Sequence, residues 1–249
     1  MDEIGTEVER LRGLTEGLED GEFLRVVTRE LSGTVVFSSS FGAEDQVLTH
    51  LLLEQDRAVP IVTLDTGRLP QETYDLMEES RRFFGVEIHV FFPDAAEVEE
   101  LVRAGGPNLF YNSIADRKSC CNVRKVKPLK RALAGHRAWI TGMRRSQSVT
   151  RTDLSRIEVD EGNRMIKINP LIEWSRDEIW DYIRTRGLPY NKLHDKGFPS
   201  IGCLPCTRAV LPGEDERAGR WWWELPEQRE CGIHIKDGRA VRVNPEYHI

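Results

Sequence analysis

An α/β fold, an open and mainly parallel sheet with helices on both faces, is predicted by three features of this sequence. Short apolar runs alternate with longer stretches of helical period, as in Thr34–Phe37, Ile61–Leu64, Val86–Phe91 and Ala138–Thr141. These runs are continuously apolar rather than alternating, as in strands buried on both faces. Each is followed by small or polar residues that suit a strand-to-helix turn.

In order along the chain, residues 2–31 read as one or two amphipathic helices with a break near Gly21. Thr34–Phe37 is the first strand, and Ala43–Leu53 the helix after it. Ile61–Leu64 is the second strand, and the helix Pro70–Phe84 follows, with proline at a plausible first-turn position. Val86–Phe91 is the third strand, followed by helix from Ala95 to Ala104. Lys125–Leu133 is helical and Ala138–Thr141 closes a fourth unit. Ile157–Val159 and Met165–Ile168 form a hairpin about Glu161–Asn163. Ser175-Arg-Asp-Glu178 is a capping box that opens a helix to Arg186, with Ile179, Tyr182 and Ile183 on its buried face. From Pro189 onward glycine and proline are frequent, which predicts loops and short helices. The last thirty residues read as a mobile tail.

With 249 residues the chain makes one large domain, or one with a lid, and buries a core without disulfides. A net charge of −6 argues against a general nucleic-acid binder but leaves room for a local cationic pocket. The acidic start lacks the pattern of a signal peptide, and no stretch approaches the ~20 apolar residues of a membrane span. The expected compartment is the cytoplasm, where five cysteines are not a disulfide framework. They divide as Cys120-Cys121, Cys203-x-x-Cys206 and the lone Cys231.

Ser38-Ser39-Ser40-Phe41-Gly42-Ala43-Glu44-Asp45 joins a strand to a helix. Its hydroxyls, its backbone N–H groups and the helix N-terminus suit an anion, although an ordinary capped turn reads similarly. Leu64-Asp65-Thr66-Gly67 ends the next strand at the same sheet edge and offers bonds to a ribose or adenine, where open sheets bind ligands. From Arg117 to Arg131 there are seven basic residues and no acid. Alone, such a run is a solvated helix face. Beside Cys120 and Cys121 it favours thiolates. With Cys203 and Cys206 those residues make a four-sulfur site, which Zn²⁺ and a [4Fe–4S] cluster both accept. Adjacent cysteines are awkward for a zinc knuckle, which tilts the reading towards a cluster. Cys231, between Glu230 and Gly232, reads as a nucleophile on a moving segment, with His234 nearby. Gly142, Arg144 and Arg145 follow a strand at the ligand edge. Arg217 and Arg220 precede Trp221–Trp223, and guanidinium forks suit sulfate and phosphate oxygens. The tryptophans themselves read as packing.

Taken together, these residues resemble the assimilatory adenylyl-sulfate reductase family, within the sulfonucleotide reductases, from about Val35 to His234. The specific elements are Cys120-Cys121, Gly202-Cys-Leu-Pro-Cys-Thr-Arg208, Glu216-Arg-Ala-Gly-Arg-Trp-Trp-Trp223 and Glu230-Cys-Gly-Ile-His234. Ser39–Asp45, Leu64–Gly67 and Thr141–Ser148 resemble the family's phosphate-loop, nucleotide and arginine-loop motifs, with no departure at a motif position.

The resemblance implies a fold similar to that of ATP pyrophosphatases, also described as adenine nucleotide alpha-hydrolase-like. It implies a reductase domain over residues 1–215 and a catalytic tail over 216–249. It implies attack by Cys231 on the sulfur of adenylyl sulfate, a Cys S-sulfonate intermediate and release of sulfite by thioredoxin or a similar dithiol. It also implies a [4Fe–4S] cluster, cationic assistance from Lys125, Arg144, Arg217 and Arg220, and a dimer or tetramer as a possible assembly. Phosphoadenylyl sulfate, alone or as a second substrate, is the nearest alternative. An ATP pyrophosphatase acting on tRNA and a non-enzymatic metal-binding redox sensor are the more distant ones. The sensor leaves the nucleotide-like loops and Cys231 unexplained.

Overall fold

The computed structural model describes residues 3–147 and 154–225. Two helices, α1 (Glu3–Thr15) and α2 (Asp20–Glu30), lead into β1 (Val35–Ser38), α3 (Ala43–Gln55), β2 (Ile61–Leu64), α4 (Gln71–Phe84), β3 (Ile88–Phe91) and α5 (Ala95–Gly105). Then come α6 (Ile114–Cys121), α7 (Lys127–Leu133), β4 (Ala138–Ile140), the hairpin β5 (Ile157–Asp160) and β6 (Met165–Ile168), and α8 (Arg176–Arg186). The strand order is β3-β2-β1-β4-β6-β5. All neighbouring pairs are parallel except the edge pair β5–β6. The chain departs from β1 to one side and returns to its other side with β4. The carboxyl ends of β1 and β4 therefore frame the crevice at which such sheets bind ligands.

Side-chain alternation assigns the faces. Val35 and Phe37 of β1 join Val8, Leu24, Leu48 and Ile183 in the main core, so α1, α2, α3 and α8 cover that side. Val36, between them, points the other way and meets Val62, Trp139, Leu129 and Leu133, so α7 covers the second face. Burying each such aliphatic side chain contributes roughly 1.5–3 kcal/mol. Trp139 is accommodated there because its indole N–H donates to Asp160 Oδ2 at 3.0 Å. No helix among the described residues is long and apolar enough to cross a membrane.

Most elements fall where the sequence puts them, and three differences have local causes. The first helical break comes at Gly17 (φ +71°), whereas Gly21 sits in the first turn of α2. The helix expected from Lys125 is the last part of a longer helical path. It starts at Ile114, capped by Ser113, which accepts from Asp116 N at 3.0 Å, and passes through a π turn at Asn122–Val126. That irregular turn precedes Pro128, which lacks an N–H and fits poorly in an unbroken α-helix. Thirdly, residues 216–225, expected to open the mobile tail, pack into the body. Arg208 N donates to Gly219 O at 3.0 Å, and Trp221 N donates to Cys206 O at 3.2 Å. The rest of that segment, 226–249, lies outside the described residues.

The capping box at α8 is complete: Glu178 N donates to Ser175 Oγ at 3.2 Å, and Ser175 N to Glu178 Oε2 at 2.7 Å. Ser175→Ala removes one half of it. The expected loss is about 1 kcal/mol, read as a lower urea midpoint with an unchanged slope.

Candidate functional site

The loops after β1, β2 and β4 and the segment 194–221 enclose a cleft of about 230 Å³ at the switch point. Of the residues expected to meet a ligand, Ser38, Ser39, Ser40, Gly42, Glu44, Asp45, Leu64, Thr66, Lys125, Gly142, Arg217 and Arg220 line it. Five others do not. Phe41 is buried, with a left-handed backbone (φ +59°). Asp65 accepts from Gly67 N at 2.7 Å and Tyr74 Oη at 3.0 Å, which makes it a turn-forming residue. Gly67 has Arg124 against it instead of a ligand ring. Arg145 donates to Glu173 and to Leu154 O on the protein's outer side.

Arg144 is the largest change from expectation. It is buried, with Nε on Glu44 Oε1 at 2.8 Å, Nη1 on Ser146 Oγ at 2.7 Å and Nη2 on Glu216 Oε2 at 3.2 Å. Its fork thus ties the loop after β4 to the first turn of α3 and to the segment leading to Arg217. Arg176 approaches the same Glu216 at 3.6 Å.

The loop after β1 is also organised otherwise than its sequence suggests. Its donors already converge on a carboxylate, that of Asp45. Ser40 N and Ser40 Oγ reach Asp45 Oδ2 at 2.6 and 2.7 Å. Phe41 N is held by Ser39 Oγ at 3.2 Å. Complete burial pushes the Asp45 carboxyl up to about 6, against the opposing bonds from Ser40. Gly142 is required opposite, because a Cβ there would lie 2.2 Å from Asp45 Oδ1. This buried acid thus closes its own loop and packs directly against the loop after β4.

Next to the cleft, Cys120, Cys121, Cys203 and Cys206 line one small cavity, with Arg68, Arg117, Arg124, Lys125 and Arg220 among its other walls. All four thiols are free. The first pair ends α6, immediately before the π turn that carries Arg124 and Lys125. The second pair arrives on a short turn anchored by Leu204 N on Arg68 O at 2.8 Å. Thr66 Oγ1 lies 3.2 Å from Cys203 Sγ. Burial raises the Cys120 thiol above its ordinary value, with Cys203 adding to this while Arg124 and Arg68 oppose it. Burial and then Cys203 push Cys206 up to about 12, against Arg220 and Lys125. As bare thiolates these sulfurs repel one another, so the set calls for a cationic centre to share.

Trp221 completes this wall. It is fully buried, has a left-handed backbone (φ +43°) and packs with Cys120 and Cys206. Arg117 and Arg220 stand over its ring at 4.7 and 4.8 Å. Its Nε1, a donor only, has no hydrogen-bond partner among the described residues. A buried donor beside four sulfurs fits an acceptor-rich sulfur centre in that cavity. Among the described residues no three His, Cys, Asp or Glu side chains are grouped to hold a single metal ion. Gly202 lets Arg220 approach, since a Cβ there would meet Nη2 at 2.2 Å.

Sequence reasoning missed His194, which also lines the cleft, and Arg68 beside the thiols; Thr141, Met143 and Glu216 line the cleft from within motifs it had marked, and Arg117 and Arg124 of the basic run lie around the thiols. The run Leu-His-Asp-Lys-Gly at 193–197, ending in a left-handed glycine, was the available signal for His194. Cys231 and His234 lie outside the described residues.

The sheet order and the cleft at its switch point define an adenine nucleotide alpha-hydrolase-like fold. Yeast FAD synthetase shares it, with a TM-score of 0.55, 16% identity and coverage of 84% of this chain and 69% of that one. The chain belongs to the phosphoadenosine phosphosulfate reductase domain family, whose model matches residues 34–209. An adenosine 5'-phosphosulfate reductase of Allochromatium vinosum is 51% identical, over 87% of this chain and 84% of its own length. One from Burkholderia cepacia is 45% identical over 98% and 94%. Among solved structures, a phosphoadenylyl-sulfate reductase from Candida auris in a phosphate complex has a TM-score of 0.69 and 27% identity, covering 82% of this chain and 96% of that one.

The Asp45 geometry sets a pH expectation. Its folded pKa is raised above the ordinary carboxyl value, so its contribution to stability is complete below about pH 4 and is lost as pH rises through about 6. Asp45→Asn lacks that loss. The variant's urea midpoint, compared with wild type, is expected to be more favourable at pH 7 than at pH 4. A difference independent of pH would contradict the raised carboxyl.

Proposed function

We propose that the protein reduces adenylyl sulfate to sulfite and AMP, with Cys231 as nucleophile, thioredoxin or a similar dithiol as reductant, and a [4Fe–4S] cluster on Cys120, Cys121, Cys203 and Cys206. The observation that carries this reading is a shared wall: Lys125, Arg220 and Trp221 line both the cleft and the cysteine cavity. An anionic substrate in the cleft is thereby drawn to the end nearest the thiols. The relatives named adenosine 5'-phosphosulfate reductase support the same substrate.

The chain's residues divide the work. Lys125, Arg217 and Arg220 attract the sulfonyl and phosphoryl oxygens and stabilise charge that shifts onto the leaving phosphate. Arg144 acts through Glu44 and Glu216, fixing the loops rather than touching substrate. The Cys231 thiolate attacks sulfur, the S–O bond to the phosphate breaks, and AMP departs with the electron pair, leaving Cys231 as an S-sulfonate. A dithiol thiolate then attacks the Cys231 sulfur. Sulfite leaves with the S–S electrons, and the second thiol resolves the mixed disulfide, so the dithiol supplies both electrons.

The two cysteine pairs fit the cluster through four sulfurs in one cavity, five flanking cations and the unpartnered Trp221 Nε1. When bound, such a cluster orders the shared wall and sets its electrostatics. No electron from it is needed for the balance above. The cations oppose the charge of four thiolates, and Thr66 Oγ1 is placed to donate to Cys203.

Two measurements test the reading. Anaerobically purified protein given ³⁵S-labelled adenylyl sulfate without reductant is expected to retain label on the Cys231 peptide, and thioredoxin to release it as sulfite. Sulfite production by Cys231→Ser would refute the covalent route. Metal analysis is expected to find about four irons with matching acid-labile sulfide per chain, lost in Cys206→Ser and kept in Cys231→Ser. One zinc per chain in their place would overturn the cluster assignment.

A further inference from the structure

Among the described residues eight large apolar side chains are exposed, and four of them, Tyr111, Leu204, Trp222 and Leu225, belong to segments that meet around the cysteine cavity. Their exposures run from 37% to 64%. Scattered single apolar residues on a surface need no explanation, whereas a concentration of them in one place marks a contact surface.

The patch is held together from beneath. Tyr111 Oη donates to Pro205 O at 2.7 Å, which ties the short helical turn Leu109–Tyr111 to the turn carrying the second cysteine pair. Trp223 packs edge-on against the Tyr111 ring at 4.5 Å, and Trp222 meets Trp223 at 4.7 Å. Trp223 and Phe110 in turn pack with Cys120, Cys206 and Trp221. Leu204 is exposed although its neighbours Cys203 and Cys206 line the cavity. Rings fixed in this way lose little freedom when a partner covers them, and Trp and Tyr are the side chains that dominate such contacts.

Two features identify the partner. The first is where the chain leads. Leu225 lies at the edge of the described residues, and Cys231 follows six positions later, a span of at most about 20 Å. In the reaction derived above a dithiol thiolate attacks the Cys231 sulfur, so the attacking sulfur comes within that distance of Leu225. A protein that carries it there meets the patch from which the chain leaves for Cys231. The second is size. A stable dimer buries about 800 Å² or more on each partner, with roughly 20–30 residues a side. Four exposed side chains make a smaller contact, which suits a partner that binds, reacts once and leaves.

We propose that Tyr111, Leu204, Trp222 and Leu225 form the docking surface for the dithiol protein that reduces the Cys231 S-sulfonate. This rests on the covalent reading above, and the step is the one balanced there: the thiolate bonds to the Cys231 sulfur, and sulfite leaves with the electrons of the broken S–S bond. A small dithiol performs the same chemistry without a docking surface, and that difference is the test. Enzyme carrying ³⁵S on Cys231, freed of excess substrate, is mixed with thioredoxin below saturation or with dithiothreitol, and sulfite release is timed. Trp222→Gln combined with Leu225→Gln is expected to lower the second-order rate constant for thioredoxin about tenfold, the effect of losing one well-packed anchor, while labelling and release by dithiothreitol stay within about twofold of wild type. Where Trp222→Gln does not fold, Leu225→Gln alone carries the test, with an expected loss of about threefold. Equal losses with both reductants assign the patch to residues 226–249 and overturn the proposal. An unchanged thioredoxin rate overturns it as well, and a change of sedimentation to a smaller species in that variant then assigns the patch to a second copy of the chain. Labelled wild type that dithiothreitol discharges and thioredoxin does not overturns it and leaves the covalent reading standing. Wild type that takes no label defeats the covalent reading itself, and the proposal with it.

Discussion

A buried ion pair holds the site together. Arg117 of α6 donates from Nε to Glu224 Oε1 at 2.6 Å, with the two side chains 0% and 3% exposed. Two charges so far from water cost free energy that only close pairing offsets, and removing one partner of such a pair typically costs about 3–5 kcal/mol. The pair therefore specifies an arrangement more than it adds stability. It fixes the segment 216–225 against the helix carrying Cys120 and Cys121, and Trp221 is clamped between arginines as a result. The Thr207–Arg220 bridge and the bond from Trp221 N to Cys206 O extend the same fastening to the second cysteine pair. Four sulfurs from two distant parts of the chain thus face one cavity.

Charge explains why this wall can serve two neighbouring cavities. The protein as a whole carries a net −6, yet its cations gather where the thiols lie. Four thiolates held close together need opposite charge around them, whatever centre they bind. Lys125 and Arg220 of this set also line the end of the cleft, where the proposed function gives them an anionic substrate to attract. Beside the cleft, charges are paired inside the protein: Arg144 with Glu44 and Glu216, and Asp45 with the donors of Ser40. The loop after β1 is thus shaped by its own carboxylate.

Backbone irregularity collects at the same place. Among the described residues, three non-glycine positions have positive φ, and two of them are Phe41, buried behind the loop after β1, and Trp221, in the wall of the cleft. The π turn carrying Arg124 and Lys125 directly follows the cysteine pair. Such features persist where surrounding packing over-determines them, here the buried rings of Phe41 and Trp221 and the bond from Arg124 Nη1 to Thr66 O at 2.7 Å.

What the sequence determined by itself is what depends on neighbours a few residues apart. Continuous apolar runs marked the parallel strands, the Ser175–Glu178 box marked α8, and cysteine spacing beside a basic run marked the thiol pairs. The helix from Ile114 was also legible, through Ser113 and Asp116, but the cysteines and charges obscured its weak apolar period. The tertiary structure decided which partner each polar group takes. Arg144 has the residue type of an anion ligand, yet Glu44 and Glu216, 100 and 72 residues away, claim it. Asp65 has the residue type of a ribose ligand, yet Gly67 and Tyr74 occupy it. His194 is marked in the chain only by the run that ends at Gly197, and its place depends on Trp180 of α8 and, through Asn191, on Thr73 of α4. Local periodicity and capping are short-range and are written in the chain. Pairing and burial of charges are long-range, and exist only once the sheet has brought its strand ends together.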